Sequence, residues 1–311
     1  MTRIPRHGYP ASINVETDIN VAAGLKAIAR TANRMLERIE RSELSREEAL
    51  DMTLTVAEAR CEVDPDAEEF ETWEAWVTAM QLGSAQFVMA TAPEGSTVTC
   101  RIKEKEWHLP ATGAQPHVNA YSWIQAFYLA MICRENERLT ELARVPVSLL
   151  RESGATFDEY IYSWVETLQR FWVGQEDVST HLVAAVDGTG PDSARHVDQE
   201  QMSMVLYPPI ILFYRYLRGD HAQFNEALTD AIRWHKSYWS GDDDRAMSSE
   251  GYVALGPLAI ACLARDKGFP IEVDSEYLPK ALLNYAWGDE IDTAFHAQKQ
   301  RKAPVHSSCR S

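Results

Sequence analysis

Apolar side chains recur at every fourth position in several stretches of the chain, which is the spacing of one face of an α-helix. One of these stretches contains Trp123, Phe127 and Met131. The same spacing is found at Tyr160, Trp164, Leu168 and Trp172, and at Phe224, Leu228 and Ile232. Apolar faces of this kind need partners that cover them. The pattern therefore predicts several helices that pack against one another.

Proline and glycine mark the point where two of these helices meet. Pro208 and Pro209 fit the start of a helix, where the missing N–H groups would have had no partner, and Gly219 fits its end. Asp220 and Gln223 have the spacing of a capping box, which opens a helix. The sequence therefore predicts two helices joined by a very short turn.

Two more helix starts are marked in the N-terminal part of the chain. Ser45 and Glu48 have the spacing of a capping box and predict a helix that begins at Ser45. Asp64 and Pro65 suit the N-cap and the first position of another helix, which would extend to about Met89. A small helical bundle is the expected result.

Residues 96–109 interrupt the helical pattern. Residues 97–99 are Thr-Val-Thr, which favours a β-strand, and the polar residues 103–106 before Trp107 would turn the chain. We therefore expect one small β-hairpin at this point. The predicted fold class is mainly α, an irregular array of helical pairs joined by short turns.

The hairpin divides the chain into regions. We expect an N-terminal helical bundle over residues 1–92, a hairpin or connector over 93–115 and a helical domain over 116–287. One continuous domain over 19–287 is the alternative, because 311 residues suit either one large domain or two smaller ones. Residues 288–311 are expected to form a partly flexible tail, which is basic from about Lys299 onwards.

Several segments of the middle and C-terminal parts are similar to those of a known family. They are residues 127–134, 160–172, 207–210, 213–220, 224–228, 235–239, 254–264, 268–271 and 276–279. In these segments the chain resembles the immunity protein forty-nine family. The resemblance implies a cytoplasmic, mainly helical protein that protects its bacterium from a cognate polymorphic toxin.

The charge balance favours a basic partner. The chain contains 46 Asp and Glu against 30 Lys and Arg, a formal net charge of −16. An acidic field attracts basic proteins and opposes nonspecific contact with nucleic acids and anionic membranes. We therefore expect a basic protein toxin as the partner, with neither nucleic acid nor membrane. Acidity that serves solubility alone is the alternative.

The sequence also indicates a cytoplasmic location. Residues 1–12 contain charges and two prolines where a secretory signal would be continuously apolar. The longest apolar run, residues 253–264, is shorter than the ~20 residues that a helix needs to cross a bilayer. Five cysteines without paired spacing are best interpreted as reduced thiols.

The densest acidic stretch lies at residues 64–74 and contains no Lys or Arg. A helix dipole explains acidic residues in a first helical turn, but Glu71 and Glu74 lie beyond that turn. An aromatic side chain with a charged rim is typical of a binding hot spot. We therefore predict a partner-binding surface that comprises Glu68, Glu71, Trp73 and Glu74. Burial of Trp73 in the core is the alternative.

A second acidic cluster is the run Asp242-Asp243-Asp244. Consecutive aspartates suggest a magnesium site, but no second carboxylate motif lies at a spacing that would complete one. The histidines likewise lack the i, i+4 spacing of a zinc enzyme. We expect no metal and no cofactor, and we add this cluster to the predicted partner-binding surface. A solvated loop between helices is the alternative.

Catalytic motifs are missing from the sequence. Ser84 lacks the flanking glycine spacing of a nucleophile elbow. We therefore expect no catalytic residues and a protein that neutralises a toxin by binding it. A helical hydrolase is the alternative function, because two carboxylates that flank a glycosidic bond suffice for such chemistry and the chain has many acidic residues.

Overall fold

Helices dominate the fold. The computed structural model describes residues 1–10, 12–13 and 20–287, and the expected basic tail lies outside these residues. Two small two-stranded sheets accompany the helices. The predicted mainly α fold class is confirmed. Within the described residues, no helix combines the length and the apolar character needed to cross a membrane.

The elements of the first half surround one hairpin. In chain order they are β1 (Thr2–Arg3), α1 (Val21–Arg38), α2 (Glu43–Glu47), α3 (Ala49–Val63), α4 (Phe70–Thr91), β2 (Thr97–Ile102), β3 (Lys105–Pro110), α5 (Ala120–Ile132), α6 (Asn136–Leu142) and α7 (Val147–Arg151). Helices α3 and α4 pack against each other, and α5 packs against α4.

The second half is also built from neighbouring helices. Its elements are α8 (Tyr160–Trp172), α9 (Val178–Gly188), α10 (Gln199–Gln201), a π-helical turn (Met202–Leu206), α11 (Tyr207–Arg218), α12 (His221–Trp239), α13 (Asp243–Ala246), a 3-10 turn (Ser249–Tyr252), α14 (Leu255–Asp266), β4 (Val273–Asp274) and α15 (Lys280–Asn284). The pairs α8–α9 and α11–α12 each consist of two consecutive helices in contact.

Helix α5 lies at the centre of the fold. Almost all of its residues are buried, because it packs against α4, α8 and α14. A helix that is apolar all round needs such complete cover. Asn119 caps its first turn by accepting hydrogen bonds from the backbone N–H groups of Tyr121 and Ser122.

The β-hairpin is confirmed. Its strands are antiparallel, with Cys100 opposite Trp107, and the turn contains Lys103 in a left-handed conformation with a φ of 55°. Its apolar face contributes Ile102 and Leu109 to a small second core, which also includes Leu36 of α1.

The prolines of α11 occupy its first turn but do not begin the helical run. Helix α10 and the π-helical turn lead into α11 without a break. Because Pro208 and Pro209 have no N–H groups, the α-helical hydrogen-bond ladder cannot continue through them. The N–H of Tyr207 donates instead to the Met202 carbonyl, five residues earlier. This connection corrects the predicted helix start.

The short turn between α11 and α12 is confirmed. Gly219 ends α11 with a φ of 67°, and the Asp220 carboxylate accepts a hydrogen bond from the N–H of Gln223. The capping box is not reciprocal, however. The Gln223 side chain accepts a hydrogen bond from Arg215 of the preceding helix and so ties the two helices together.

The predicted helix start at Ser45 is wrong. Ser42 caps α2 by accepting a hydrogen bond from the N–H of Ser45, which lies buried within that short helix. Glu48 then stands between α2 and α3 without making a side-chain cap. A capping pair three residues earlier therefore replaces the one that the sequence suggested.

The main core extends from Ile4 to Leu283 and includes residues of both predicted helical regions. Strands β1 and β4 pair in parallel, with Thr2 opposite Val273, and join the two ends of the described chain. The division into domains stays a prediction. The cysteines of the described residues are buried and free.

Candidate functional site

The acidic stretch at residues 64–74 begins with a capped turn. Asp64 is buried, and its carboxylate accepts hydrogen bonds from the backbone N–H groups of Glu68 and Glu69, at 3.0 and 2.9 Å. Ala67 has a φ of 54°, which is incompatible with a continuous helix. Helix α4 therefore begins at Phe70, and the predicted start at Asp64 is wrong.

The acidic side chains of this stretch differ in how freely they face water. Glu68, Glu69 and Glu71 are exposed, whereas Glu74 is half-buried. Glu69 pairs with Arg60 at 2.7 Å, and Glu74 lies 3.7 Å from the amino group of Lys103. No ion pair involves Glu68 or Glu71 among the residues that the structure describes. These two carboxylates therefore hold the uncompensated charge.

Trp73 does not face the solvent. It is only 2% exposed, and its ring meets Tyr285 edge-on at 6.0 Å. Trp76, three positions further along α4, is also fully buried. Trp73 therefore belongs to the core, which corrects its assignment to an accessible partner-binding surface. The exposed aromatic residue is Phe70, at 56%, and its ring meets that of Trp287 at 6.2 Å.

The aspartates of the second cluster are exposed, and two of them have structural contacts. Asp242 caps α13 by accepting a hydrogen bond from the N–H of Arg245 at 2.8 Å, and it pairs with the same guanidinium at 3.0 Å. Asp243 accepts a hydrogen bond from Ser12. Helix capping therefore explains the presence of Asp242 without any protein partner, whereas Asp244 remains exposed.

A cavity of about 110 Å³ lies between α3, α5, α8, α12 and the residues around the 3-10 turn. No pattern in the sequence predicted this cavity. Its polar lining residues include Glu58, Tyr121, Gln125, Tyr160, Trp239 and Glu250. Acidic and aromatic groups from four helices and the 3-10 turn thus meet in one place.

Glu58 is the most unusual residue of this cavity. It is only 3% exposed, and no hydrogen bond to its carboxyl group is found in the described part of the chain. Burial raises the pKa of Glu58 well above its ordinary value, and the nearby Glu250 raises it further. A buried, unpaired carboxyl group is costly to a fold, and such groups cluster at functional sites.

Glu250 and Tyr121 lie where the cavity opens to solvent. Both residues are exposed, Tyr121 to 41%, although both also line the cavity. Burial of the carboxyl group raises the pKa of Glu250, with a smaller contribution from Asp51. Burial of its hydroxyl group raises the pKa of Tyr121, although part of the ring is exposed, and the negative charges of Glu250 and Glu58 add to the shift. The opening is therefore acidic.

Two other polar atoms in the cavity lining are buried without partners. They are the side-chain oxygen Oε1 of Gln125 and the indole nitrogen Nε1 of Trp239. Buried polar atoms nearly always form hydrogen bonds, so each such exception needs an explanation. Together with Glu58, these atoms are polar groups of the lining that can form hydrogen bonds with a ligand.

Three other polar side chains of the lining form hydrogen bonds with one another or with a backbone carbonyl. The indole N–H of Trp164 donates to the Tyr128 hydroxyl at 2.9 Å. Nε2 of His235 donates to the Gly251 carbonyl at 3.1 Å, and burial lowers the pKa of His235 to about 3. This imidazole is therefore neutral near neutral pH and does not balance the acidic groups.

Gly256 sets one wall of the cavity. A Cβ atom at this position would lie 2.5 Å from Cγ of Pro209, so only glycine lets α14 approach α11 this closely. The N-terminal turns of both helices thus meet directly beside the cavity.

The position of Glu58 has a sequence signal that charge density does not detect. Leu54, Ala57 and Cys61 are buried on one face of α3, and Glu58 lies on the same face. An acidic residue at an apolar position of a helix is therefore the pattern that would have indicated this site. No group of three or more His, Cys, Asp or Glu residues suited to a metal ion occurs among the described residues.

Comparison with known protein families gives a match over most of the chain. A family model described as immunity protein 49 matches residues 64–282. The matched segment contains Phe70, the run from Asp242 to Asp244 and most of the residues that line the cavity, but not Glu58. No curated protein and no solved structure matches the chain.

Proposed function

The chain belongs to the immunity protein 49 family, and we propose that it binds a cognate bacterial toxin and neutralises it without catalysing a reaction. The family match over residues 64–282 is the observation that carries this proposal, because it spans more than half of the 311 residues. A protein of this kind acts in the cytoplasm, where the toxin would act, and needs only a surface that fits its target.

The surface around Phe70 offers the best contact for such a toxin. We define it by Phe70, Glu68 and Glu71, which are exposed at the start of α4. An aromatic ring supplies contact area at low entropic cost, and a rim of charges excludes alternative partners. The two free carboxylates favour a basic toxin. Glu74, which already lies near Lys103, contributes less.

The acidic cluster at Asp242, Asp243 and Asp244 would act at longer range. Its side chains are exposed, although Arg245 partly neutralises Asp242. Together with the net charge of −16, it would steer a basic toxin towards the protein and accelerate encounter. Bound in this way, the protein would cover or distort the active site of the toxin.

A hydrolase remains the second candidate, and one observation bears on it. Glu58 and Glu250 both line the cavity, as a carboxylate pair would have to. The cavity volume of about 110 Å³ is smaller than the ~150 Å³ of a cavity that holds benzene. A glycosidic bond with a sugar ring on each side would not fit, so the size argues for binding rather than hydrolysis.

We expect this protein to rescue cells from the toxin domain encoded beside its gene. Expression of that domain in a laboratory bacterium should stop growth, and co-expression of this protein should restore it. Charge reversal by Glu68→Lys with Glu71→Lys should slow association of the purified proteins about tenfold at low salt, because steering is lost. Stopped-flow mixing at several salt concentrations measures this rate and its salt dependence.

A matched control separates local charge from total charge. Glu176→Lys with Glu226→Lys makes the same change in net charge at two other exposed positions. This control should retain most of the association rate. Phe70→Ser should accelerate dissociation instead, because it removes a contact and not a charge. If both charge variants associate at the parent rate, the surface around Phe70 is not the interface. Failure of rescue would overturn the proposed function itself.

A further inference from the structure

The cavity that contains Glu58 has more hydrogen-bond acceptors than its own residues satisfy. The Glu58 carboxyl group has no hydrogen bond within the described residues, and Oε1 of Gln125 is unpaired as well. Glu250 adds a second carboxyl group at the opening. Because buried acceptors are normally paired, a ligand that donates hydrogen bonds would suit this arrangement.

No basic side chain of the cavity supplies those donors. None of the described lining residues is Lys or Arg. His235 already donates to the Gly251 carbonyl, and it is neutral near neutral pH. Any negative charge on Glu58 and Glu250 therefore has no counter-ion in the lining. A cationic ligand would supply the charge and the hydrogen bonds together.

The walls and the size of the cavity limit the kind of cation. The aromatic side chains of Tyr121, Tyr160 and Trp239 line it, and aromatic faces attract cations. Leu255 and Val253 add apolar surface that suits a hydrocarbon stem. The volume of about 110 Å³ leaves room for about four to five non-hydrogen atoms, since ~150 Å³ holds the six of benzene.

We propose that this cavity binds a primary alkylammonium group, with Glu58, which gives up its proton to solvent when the cation binds, as its principal anionic partner. An ammonium group has three N–H donors, one for each of the three acceptor groups of Glu58, Gln125 and Glu250. The indole N–H of Trp239 is a donor, so the ammonium leaves it unpaired. The group has two possible sources, a free small amine or the end of a lysine side chain on a protein partner.

The first test uses the full-length protein and two probes of equal size. n-Butylammonium and n-butanol both have five non-hydrogen atoms, but only the first carries a charge. Isothermal titration calorimetry should show that n-butylammonium binds at least about tenfold more tightly, because hydrogen bonds between charged groups are stronger than those between neutral ones. Equal affinity for both probes would overturn the proposal.

Variants of α3 link the affinity to one carboxyl group. Glu58→Gln should weaken n-butylammonium binding about tenfold or more, and Glu250→Gln should weaken it less, because Glu250 lies at the opening. Glu62→Gln is the matched control, since it makes the same substitution one helical turn further along α3, outside the cavity lining. Its affinity should stay within about twofold of the parent. Unchanged binding in Glu58→Gln would contradict the assignment.

Competition identifies the source of the ammonium group. If the cavity takes a lysine side chain of the toxin, saturating n-butylammonium and Glu58→Gln should each weaken the toxin complex. If the cavity takes a free amine, the complex should form with unchanged affinity in both experiments. Binding of n-butylammonium needs no toxin, so this proposal and the proposed immunity function can fail independently.

Discussion

Replacing Leu228 with alanine is expected to lower the free energy of unfolding by about 2–5 kcal/mol. Leu228 is fully buried on α12, between Phe224 and Ile232, which are equally buried. Helix α12 packs against α11 and α14, so the removed side chain would leave a void at a junction of three helices. A tightly packed core relaxes only partly around such a void.

Asp220→Ala is the matched comparison on the same helix. The Asp220 carboxylate accepts a hydrogen bond from the N–H of Gln223 at 3.0 Å, so the substitution removes a cap and no core volume. Its expected cost is about 0.5–2 kcal/mol. Urea unfolding, followed by circular dichroism, measures both variants. If Leu228→Ala matches the stability of the parent, the α11–α12 pair does not have the packing described above.

The four-residue apolar spacing predicted the helices correctly because it depends only on local chain geometry. Tyr160, Trp164 and Leu168 are all buried on α8, as their spacing requires. The turn at Gly219 and Asp220 could be predicted for the same reason, since a left-handed glycine and a capping aspartate act on their immediate neighbours.

Features that depend on distant contacts could not be predicted in this way. Strands β1 and β4 have two residues each, too few to show an alternating pattern, and they pair only because the fold brings Thr2 to Val273. The π-helical turn before Pro208 is another example, because the prolines alone fit a helix start equally well. The local sequence is compatible with a helix that starts at the prolines and with one that continues into them through a π-helical turn. Packing in the folded protein selects the second.

The candidate sites also comprise features that the local sequence predicts and features that depend on distant contacts. Charge density predicted an acidic surface at the start of α4, where Glu68 and Glu71 are indeed exposed, because charged side chains rarely leave water. Charge density did not distinguish Trp73 from Phe70, since the helix start was placed five residues too early. The cavity brings Glu58 and Glu250 together from segments far apart in sequence, which no local pattern could indicate.

Glu58→Gln is expected to make the protein more stable near neutral pH. In the unfolded chain the carboxyl group of Glu58 ionises around its ordinary pKa of 4.5, whereas burial keeps it protonated to a higher pH in the folded protein. Below pH 4.5 both states hold the proton, so parent and variant should be equally stable. Above it, the parent should lose about 1.4 kcal/mol per pH unit relative to the variant, until the folded carboxyl group ionises.

Urea unfolding of both proteins between pH 4 and pH 8 measures this difference. Glu68→Gln is the control, because an exposed carboxyl group meets water in both states and its replacement should change stability by less than about 0.5 kcal/mol. A pH-independent difference between Glu58→Gln and the parent would show that Glu58 is not buried as an unpaired acid. A gain in stability together with a loss of n-butylammonium binding is the pattern of a residue kept for its ligand at a cost to the fold.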